Sequence, residues 1–267
     1  MKSITSRENS FFKQLVKLTE SAVQRRTSEL TLLDGAHLID AYHATLGLPQ
    51  SLIISESAGE NEEIKRLLAQ LGTEQAVNVV TLSEVLFREI SPVKTPSGII
   101  ALIVIPAHDV IHVCQDEGFC VLLEAIQDPG NLGSILRSAA AAGAGDAYLS
   151  VGCADAWSPK TLRAAMGAHF QLRIHEQSDL AKVAQKFNGK VIATTLQVKT
   201  SLYQTRLTGP VAFVFGNEGM GLSEAVLQAV SEQITIPMPG GMESLNAAAA
   251  AAVCFFERVR QNASTTK

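Results

Sequence analysis

The sequence predicts an α/β protein of two domains. Short apolar runs of strand length recur along it, separated by segments whose apolar residues follow helical spacing. That alternation builds largely parallel sheets covered by helices. The chain has 267 residues, more than one typical domain. Its composition, 46% hydrophobic and 18% charged, supplies enough apolar side chains for packed interiors.

The elements follow in order. A helical pattern covers 8–26. "LTLLDG" and "SLIISES" read as strands, "AHLIDAYHATLG" and "NEEIKRLLAQLG" as helices, and "SGIIALIVIP" as a closing strand. These form a first α/β domain over 1–105. Residues 106–118, "PAHDVIHVCQDEG", lose clean periodicity and mix charges, which makes them a linker. The second domain, 119–267, has strands near 119–125, 147–151, 170–174, 190–195, 211–215 and 233–236, with helices or loops between. In such sheets ligands bind beyond the carboxyl ends of strands, where helix N-termini expose unpaired N–H groups.

Several classes are excluded or disfavoured. No run reaches the roughly 18 residues of a membrane helix, and "MKSITSRENSFFKQ" lacks the apolar stretch of a secretory signal. No membrane association is expected, and the expected location is cytoplasmic. Cys114, Cys120, Cys153 and Cys254 show no CxxC spacing, so reduced structural thiols are expected. His108 and His112 stand four apart beside Asp109 in the linker. They read as solvent-exposed, so no metal is expected. The net charge of −4 argues against indiscriminate nucleic-acid binding. Residues 1–29 nevertheless carry Lys2, Arg7, Lys13, Lys17, Arg25 and Arg26 against Glu8, Glu20 and Glu29. That excess is either a polyanion-binding patch or a solvated helix face.

Three loops at strand ends stand out. In "QDPGNLGSILRSAAAAGAG" (127–145), Pro129 and Gly130 make a turn, Asn131 is suited to cap the next helix, and Arg137 is the long polar group among small residues. It reads equally as a helix start with one surface arginine. In "FVFGNEGMGLS" (213–223), Gly216, Gly219 and Gly221 surround Glu218. Their order, G-x-x-G-x-G, is not the dinucleotide fingerprint, and no Walker lysine follows. The alternatives are backbone held close to a ligand or a tight glycine turn. In "IPMPGGMESLNAAAAAAVCFF" (236–256), an irregular loop precedes a helix with Ser244 and Asn246 in its first turn. Ordinary capping by Ser244 is the plain reading.

Taken together, "DPGNLGSILRSAAAAGA", "FVFGNEGMGLS" and "IPMPGGMESLNAAAAAAVCFFE" resemble motifs 1, 2 and 3 of the SpoU (TrmH-like) family of RNA ribose 2′-O-methyltransferases, within the SPOUT class. The resemblance covers 119–260 and includes "SPKTLRAAMGAHF" (158–170). "ITSRENSFFKQLVKL" followed by "LLDGAHLIDA" resembles the smaller N-terminal substrate-binding (L30e-like) domain of its ribosomal-RNA branch. The resemblance implies a trefoil-knotted, parallel-sheet methyltransferase domain, an exception to the rule that chains avoid knots. It also implies a homodimer acting on RNA, with 23S ribosomal RNA as the substrate. S-adenosylmethionine is the implied cofactor, held by backbone groups of Gly216, Ile236 and Leu245, with Gly219 and Met238 in the same set. Glycine is expected there because a side chain would occupy the cofactor's place.

The implied catalytic set is Arg137, Asn131, Glu218, Ser244 and Asn246. Arg137 has the position of the family's base. An arginine is ordinarily protonated, so the alternative is that it clamps a phosphate while solvent takes the proton. Asn131 orients Arg137 or the ribose, and Glu218 holds the loop or the arginine. A transfer-RNA methyltransferase and a catalytically silent RNA-binding protein of the same fold remain the alternatives.

Overall fold

Asn9 starts the first long helix. Its Oδ1 accepts the N–H groups of Phe11 and Phe12 at 3.0 and 3.3 Å, satisfying donors that a helix N-terminus otherwise leaves unpaired. In the computed structural model, which describes residues 2–72, 77–106, 118–196 and 198–265, that helix is α1 (Ser10–Glu20) and buries Phe12, Leu15 and Leu18. Ser21 caps the following α2 (Ala22–Ser28). Apart from Pro106 and Gly118, the expected linker lies outside the described residues, and His108, Asp109, His112 and Cys114 with it.

The chain divides into two compact units: Met1–Ala107 with Trp157–Phe170, and His108–Ala156 with Gln171–Lys267. The first contains β1 (Lys2–Ile4), β2 (Leu30–Asp34), α3 (Ala36–Leu46), β3 (Ser51–Ser55), α4 (Glu62–Gly72), β4 (Asn78–Leu82), α5 (Glu84–Ile90) and β5 (Ile99–Val104). Its strands lie in the order β1-β4-β3-β5-β2. β1, β4 and β3 run parallel, while β5 is antiparallel to both β3 and β2. A core of Phe12, Leu15, Leu18, Ile53, Val80, Phe87, Ile90 and Ile100 fills one side. The sequence reading overlooked β1, β4 and α5, whose short patterns are fixed by pairing and packing rather than by local spacing.

The basic start resolves residue by residue. Arg25 is buried and donates to the carbonyls of Leu18 and Thr19, so it closes the C-terminal end of α1 instead of facing a phosphate. Arg7 pairs with Glu89, and Lys13 with Glu8 at 2.5 Å. Lys17 and Arg26 are exposed.

The second unit contains β6 (Phe119–Leu123), α6 (Pro129–Ala141) and β7 (Asp146–Leu149). After α7 (Pro159–Ala165), which groups with the first unit, come β8 (Arg173–His175), α8 (Leu180–Lys186), β9 (Lys190–Thr194), β10 (Val211–Phe215), α9 (Glu224–Ala229), β11 (Glu232–Ile234) and α10 (Ala247–Thr265). All six strands are parallel, in the order β11-β9-β10-β6-β7-β8. β6 and β10 are buried along their whole length, as central strands covered on both faces must be. Phe255 of α10 packs edge-on against Phe119 and Phe215, with centroids 5.3 and 5.5 Å apart. Burial pushes the Cys254 thiol of that helix up to about 12. It is an inert core group, and Cys120 is likewise a buried thiol.

Candidate active site

β6 and β10 are neighbours, with Leu123 opposite Phe215, so the loops after them leave the sheet side by side. Glu124 N–H continues the ladder by donating to Phe215 O at 2.9 Å. The first loop then turns into α6. Its cap is Asp128, whose Oδ1 accepts Asn131 N–H at 2.7 Å, with Pro129 in the first turn. The expectation that Asn131 caps α6 is therefore corrected. A proline fits the first helical turn because its missing N–H has no partner there, and this moves the cap back to the aspartate.

Freed from capping, the Asn131 amide bridges the other two loops. Its Nδ2 donates to Glu218 Oε1 at 3.0 Å, and its Oδ1 accepts from Asn246 Nδ2 at 2.9 Å. Asn246 Oδ1 accepts Ala248 and Ala249 N–H groups at 2.9 and 3.3 Å. The direction of the run is thus fixed at both ends. Helix N–H groups can only donate and a carboxylate can only accept, so both amides are oriented without ambiguity. Asn246, not Ser244, caps α10, which corrects the plain reading of that loop. Ser244 is exposed and has no hydrogen-bond partner among the described residues. Partial burial drives the Glu218 pKa upward, but hydrogen bonds from Asn131 and from backbone N–H groups, Gln127 among them, outweigh it and leave the carboxyl below its usual range.

The second loop also bonds within itself. Asn217 and Gly221 exchange both backbone hydrogen bonds at 3.0 and 2.9 Å, and Asn217 Oδ1 accepts the N–H groups of Gly219 and Met220, each at 2.9 Å. A Cβ on Gly216 would sit 2.4 Å from Gly221 C, so Gly216 is glycine because the loop folds onto itself. For this position the expected reason, room for a ligand, is corrected. Gly219 differs, since its Cβ would meet only Asn217 Oδ1 at 3.5 Å. In the third loop, Gly240 and Gly241 have nothing within 4 Å of a notional Cβ. Ile236 and Met238 are half-buried, and Leu245 is 41% exposed.

Arg137 projects from α6 into solvent, and no hydrogen bond or ion pair reaches it among the described residues. It is not brought to Glu218 or Asn131. Glu124, Asp128 and Asn217 were missed by the sequence reading. Asp-Pro ahead of a helix is a cap signal in its own right, whereas nothing local marks the reach of Glu124.

The model of the SpoU rRNA methylase family matches residues 118–256, a span that contains all three loops. The chain belongs to the SpoU rRNA methylase family. Among its relatives, the 23S rRNA (guanosine(2553)-2'-O)-methyltransferase RlmP of Bacillus subtilis is 31% identical over 96% of this chain and 98% of its own. An uncharacterized tRNA/rRNA methyltransferase of Synechocystis is also 31% identical, over 97% of this chain and 94% of its own. The crystal structure of the SpoU methyltransferase AviRb from Streptomyces viridochromogenes with AdoMet superposes with a TM-score of 0.82 at 26% identity, covering 96% of this chain and all of that one. Within this SpoU chain, the Asn246–Asn131–Glu218 run joins the segments that resemble motifs 3, 1 and 2.

Proposed function

We propose that the chain is an S-adenosylmethionine-dependent RNA ribose 2′-O-methyltransferase acting on 23S ribosomal RNA. The observation that carries this reading is the hydrogen-bonded run from Asn246 through Asn131 to Glu218. It unites three loops at the carboxyl ends of parallel strands in a chain whose full-length B. subtilis relative is named for this reaction. The cofactor fits the residues present. Gly219, Gly240 and Gly241 leave open backbone, while Ile236, Met238 and Leu245 offer apolar surface for a nucleoside. Backbone groups of Gly216, Ile236 and Leu245 complete the proposed set.

S-adenosylmethionine supplies, when bound, a methyl group on a sulfonium sulfur. The ribose oxygen forms the new O–C bond, the C–S bond breaks, and the hydroxyl proton leaves. A ribose hydroxyl is a weak nucleophile, so the protein's task is alignment. Asn131 has one Nδ2 hydrogen committed to Glu218 and one Oδ1 lone pair to Asn246, which leaves one donor and one acceptor for the ribose. Glu218 and Asn246 prevent that amide from turning. Arg137, with no partner among the described residues, holds the neighbouring phosphate and orients the hydroxyl. As an ordinarily protonated group it suits a clamp better than a base, and water takes the proton. Ser244, exposed beside Asn246, contacts the acceptor strand.

The same reading carries the trefoil knot, an RNA-gripping N-terminal unit, a homodimer and a cytoplasmic location. Its supports are the family membership, the ribosomal substrate in the relative's name and the small-residue helices Ala139–Ala142 and Ala247–Ala252. Among the described residues, no helix is long and apolar enough to cross a membrane.

The test is transfer of labelled methyl groups to total RNA resolved by size. Label in 23S RNA that survives alkaline hydrolysis as a protected dinucleotide is expected. Label confined to transfer RNA, or none despite cofactor binding, sinks the reading. Arg137→Ala is expected to lower kcat by about a hundredfold while leaving cofactor affinity unchanged. Near-normal turnover removes Arg137 from the acceptor side.

A further inference from the structure

Outside the Asn246–Asn131–Glu218 run, one more carboxylate enters these loops. Glu124, half-buried at the exit of β6, accepts Ser223 N–H at 2.8 Å through Oε2 and Ser223 Oγ–H at 2.6 Å through Oε1. Ser223 is both the last residue of the glycine loop and the cap of α9. The next residue, Ala125, holds the other end of the same loop, its carbonyl accepting Asn217 Nδ2 at 2.8 Å. Ala125 is itself fixed. Its φ of 51° lies in the left-handed region, and its N–H donates to Ser150 Oγ at 3.0 Å. The dipeptide Glu124–Ala125 therefore grips the glycine loop at Asn217 and at Ser223, and the gripped span contains Glu218.

We infer that Glu124 is a positioning residue for methyl transfer, acting through Ser223 to hold the Glu218 carboxylate against Asn131. The inference rests on the proposed role of the Asn246–Asn131–Glu218 run. Glu218 hangs from a five-residue turn whose internal bonds set its shape but not its place relative to α6. Its place is set by its own bonds to Gln127 N–H and Asn131, and by the two ties of the turn's ends to the segment that leads into α6. On the Asn217 side the tie is one bond to a backbone carbonyl; on the Ser223 side it is two bonds to one carboxylate, a charge-assisted pair and so the stronger of the two. Without that pair, the Ser223 end keeps the packing of Leu222 and of α9 but loses its hydrogen bonds to the segment that leads into α6. A displacement on the order of 1 Å of an aligning group costs up to about a hundredfold in rate. Hydrogen-bonding geometry, not charge, is what the role requires.

The test uses the full-length enzyme with its RNA and S-adenosylmethionine. Glu124→Ala is expected to lower kcat by roughly tenfold to a hundredfold with little change in KM for RNA. Glu124→Gln is expected to recover most of that activity, because its Oε1 accepts the Ser223 N–H and its Nε2 donates to Ser223 Oγ. The double variant Glu124→Ala/Glu218→Gln is expected to be no slower than Glu218→Gln alone, since residues acting as one unit are non-additive. Circular dichroism and melting curves exclude variants that fail to fold, and Ser223→Ala, which keeps the N–H bond, gives a milder second probe. If Glu124→Gln is as slow as Glu124→Ala, or if the double variant is slowed by the product of the two single effects, the inference is overturned. If Glu218→Gln itself turns over normally, the underlying site reading is what fails.

Discussion

Gly216 and Gly219 stand three residues apart in one loop and lack side chains for different reasons. At Gly216 a Cβ would penetrate the backbone of Gly221, whereas at Gly219 it would meet ordinary van der Waals spacing. Gly216→Ala is therefore expected to destabilise the protein by about 1–3 kcal/mol, the range for overpacking. Gly219→Val is expected to leave the melting temperature unchanged and to weaken cofactor binding about tenfold, an effect of roughly 1.4 kcal/mol. Calorimetry with S-adenosylmethionine beside thermal melts checks both. A normal cofactor affinity for Gly219→Val moves the pocket elsewhere, and an unshifted melt for Gly216→Ala denies the close approach. The residue scale also shows what the sequence could convey. Asn131, Glu218 and Asn246 were legible as a set because their motifs resemble a family. Their bonding order was not, since it depends on Asp128 taking the cap and releasing Asn131, a choice made by the whole first turn. Within the basic start, Arg25 was not legible for a related reason. Sequence shows that Arg25 is charged, but only packing shows that its guanidinium is occupied by Leu18 and Thr19 carbonyls.

At the scale of elements, alternation of strand and helix patterns pointed to the six strands of the second unit; β6 and β10 are wholly apolar runs, whereas β8 (Arg-Ile-His) and β11 (Glu-Gln-Ile) are not. β8 is the least obvious, three residues at the sheet edge, and a buried charge holds it. Asp146 of β7 is fully buried and accepts Arg173 Nε and Nη2 at 2.8 and 2.6 Å and a contact from His175 Nε2 at 2.9 Å. Burial raises its pKa, but the His175 and Arg173 hydrogen bonds and charges outweigh that and hold the carboxyl below the usual aspartate range. For a carboxyl depressed on folding, the contribution to stability is complete above its unfolded pKa of about 4 and is lost as pH falls through the lower folded value. Asp146→Asn is expected to cost about 3 kcal/mol at neutral pH, the lower end for breaking a buried pair because Arg173 is half exposed. It is also expected to flatten the acid limb of the stability curve. Melts from pH 7 down to about pH 2 check this, and parallel limbs for the two proteins would show that Asp146 carries no such linkage. Asp34, in the first unit, has the opposite sign. Burial leads, and its carboxyl stays raised despite Ser97 and Arg163, so its share of stability declines as pH rises through that raised value.

For the whole molecule, the chain divides into two compact units, and the route of the chain through them was not legible in the sequence. Residues 158–170 resemble the methyltransferase family and lie between two strands of its sheet, yet Trp157–Phe170 group with the first unit. Thr31 Oγ1 donates to Trp157 O at 2.6 Å, Arg163 pairs with Asp34, and Phe170 packs edge-on to Tyr42 with centroids 5.5 Å apart. Local periodicity cannot show which sheet a short helix chooses, because an apolar face looks the same against either. The consequence bears on dissection. Removing residues 1–117 to isolate the catalytic unit would strip the surroundings of Trp157, Leu162, Ala165 and Ala168, none more than 5% exposed. Each large buried apolar side chain is worth about 1.5–3 kcal/mol, so the fragment 118–267 is expected to aggregate or to melt well below the full chain. Replacing 157–170 by a short Gly/Ser linker is expected to restore a soluble fragment that binds S-adenosylmethionine and methylates RNA poorly. Its RNA affinity should fall less steeply with salt, the log–log slope shrinking by about 0.7 to 0.9 for each phosphate that the N-terminal unit no longer neutralises. A bare 118–267 fragment that melts like the full chain would show that Trp157–Phe170 do not need the first unit. A linker-repaired fragment with undiminished RNA affinity and salt slope would remove the N-terminal unit from RNA binding.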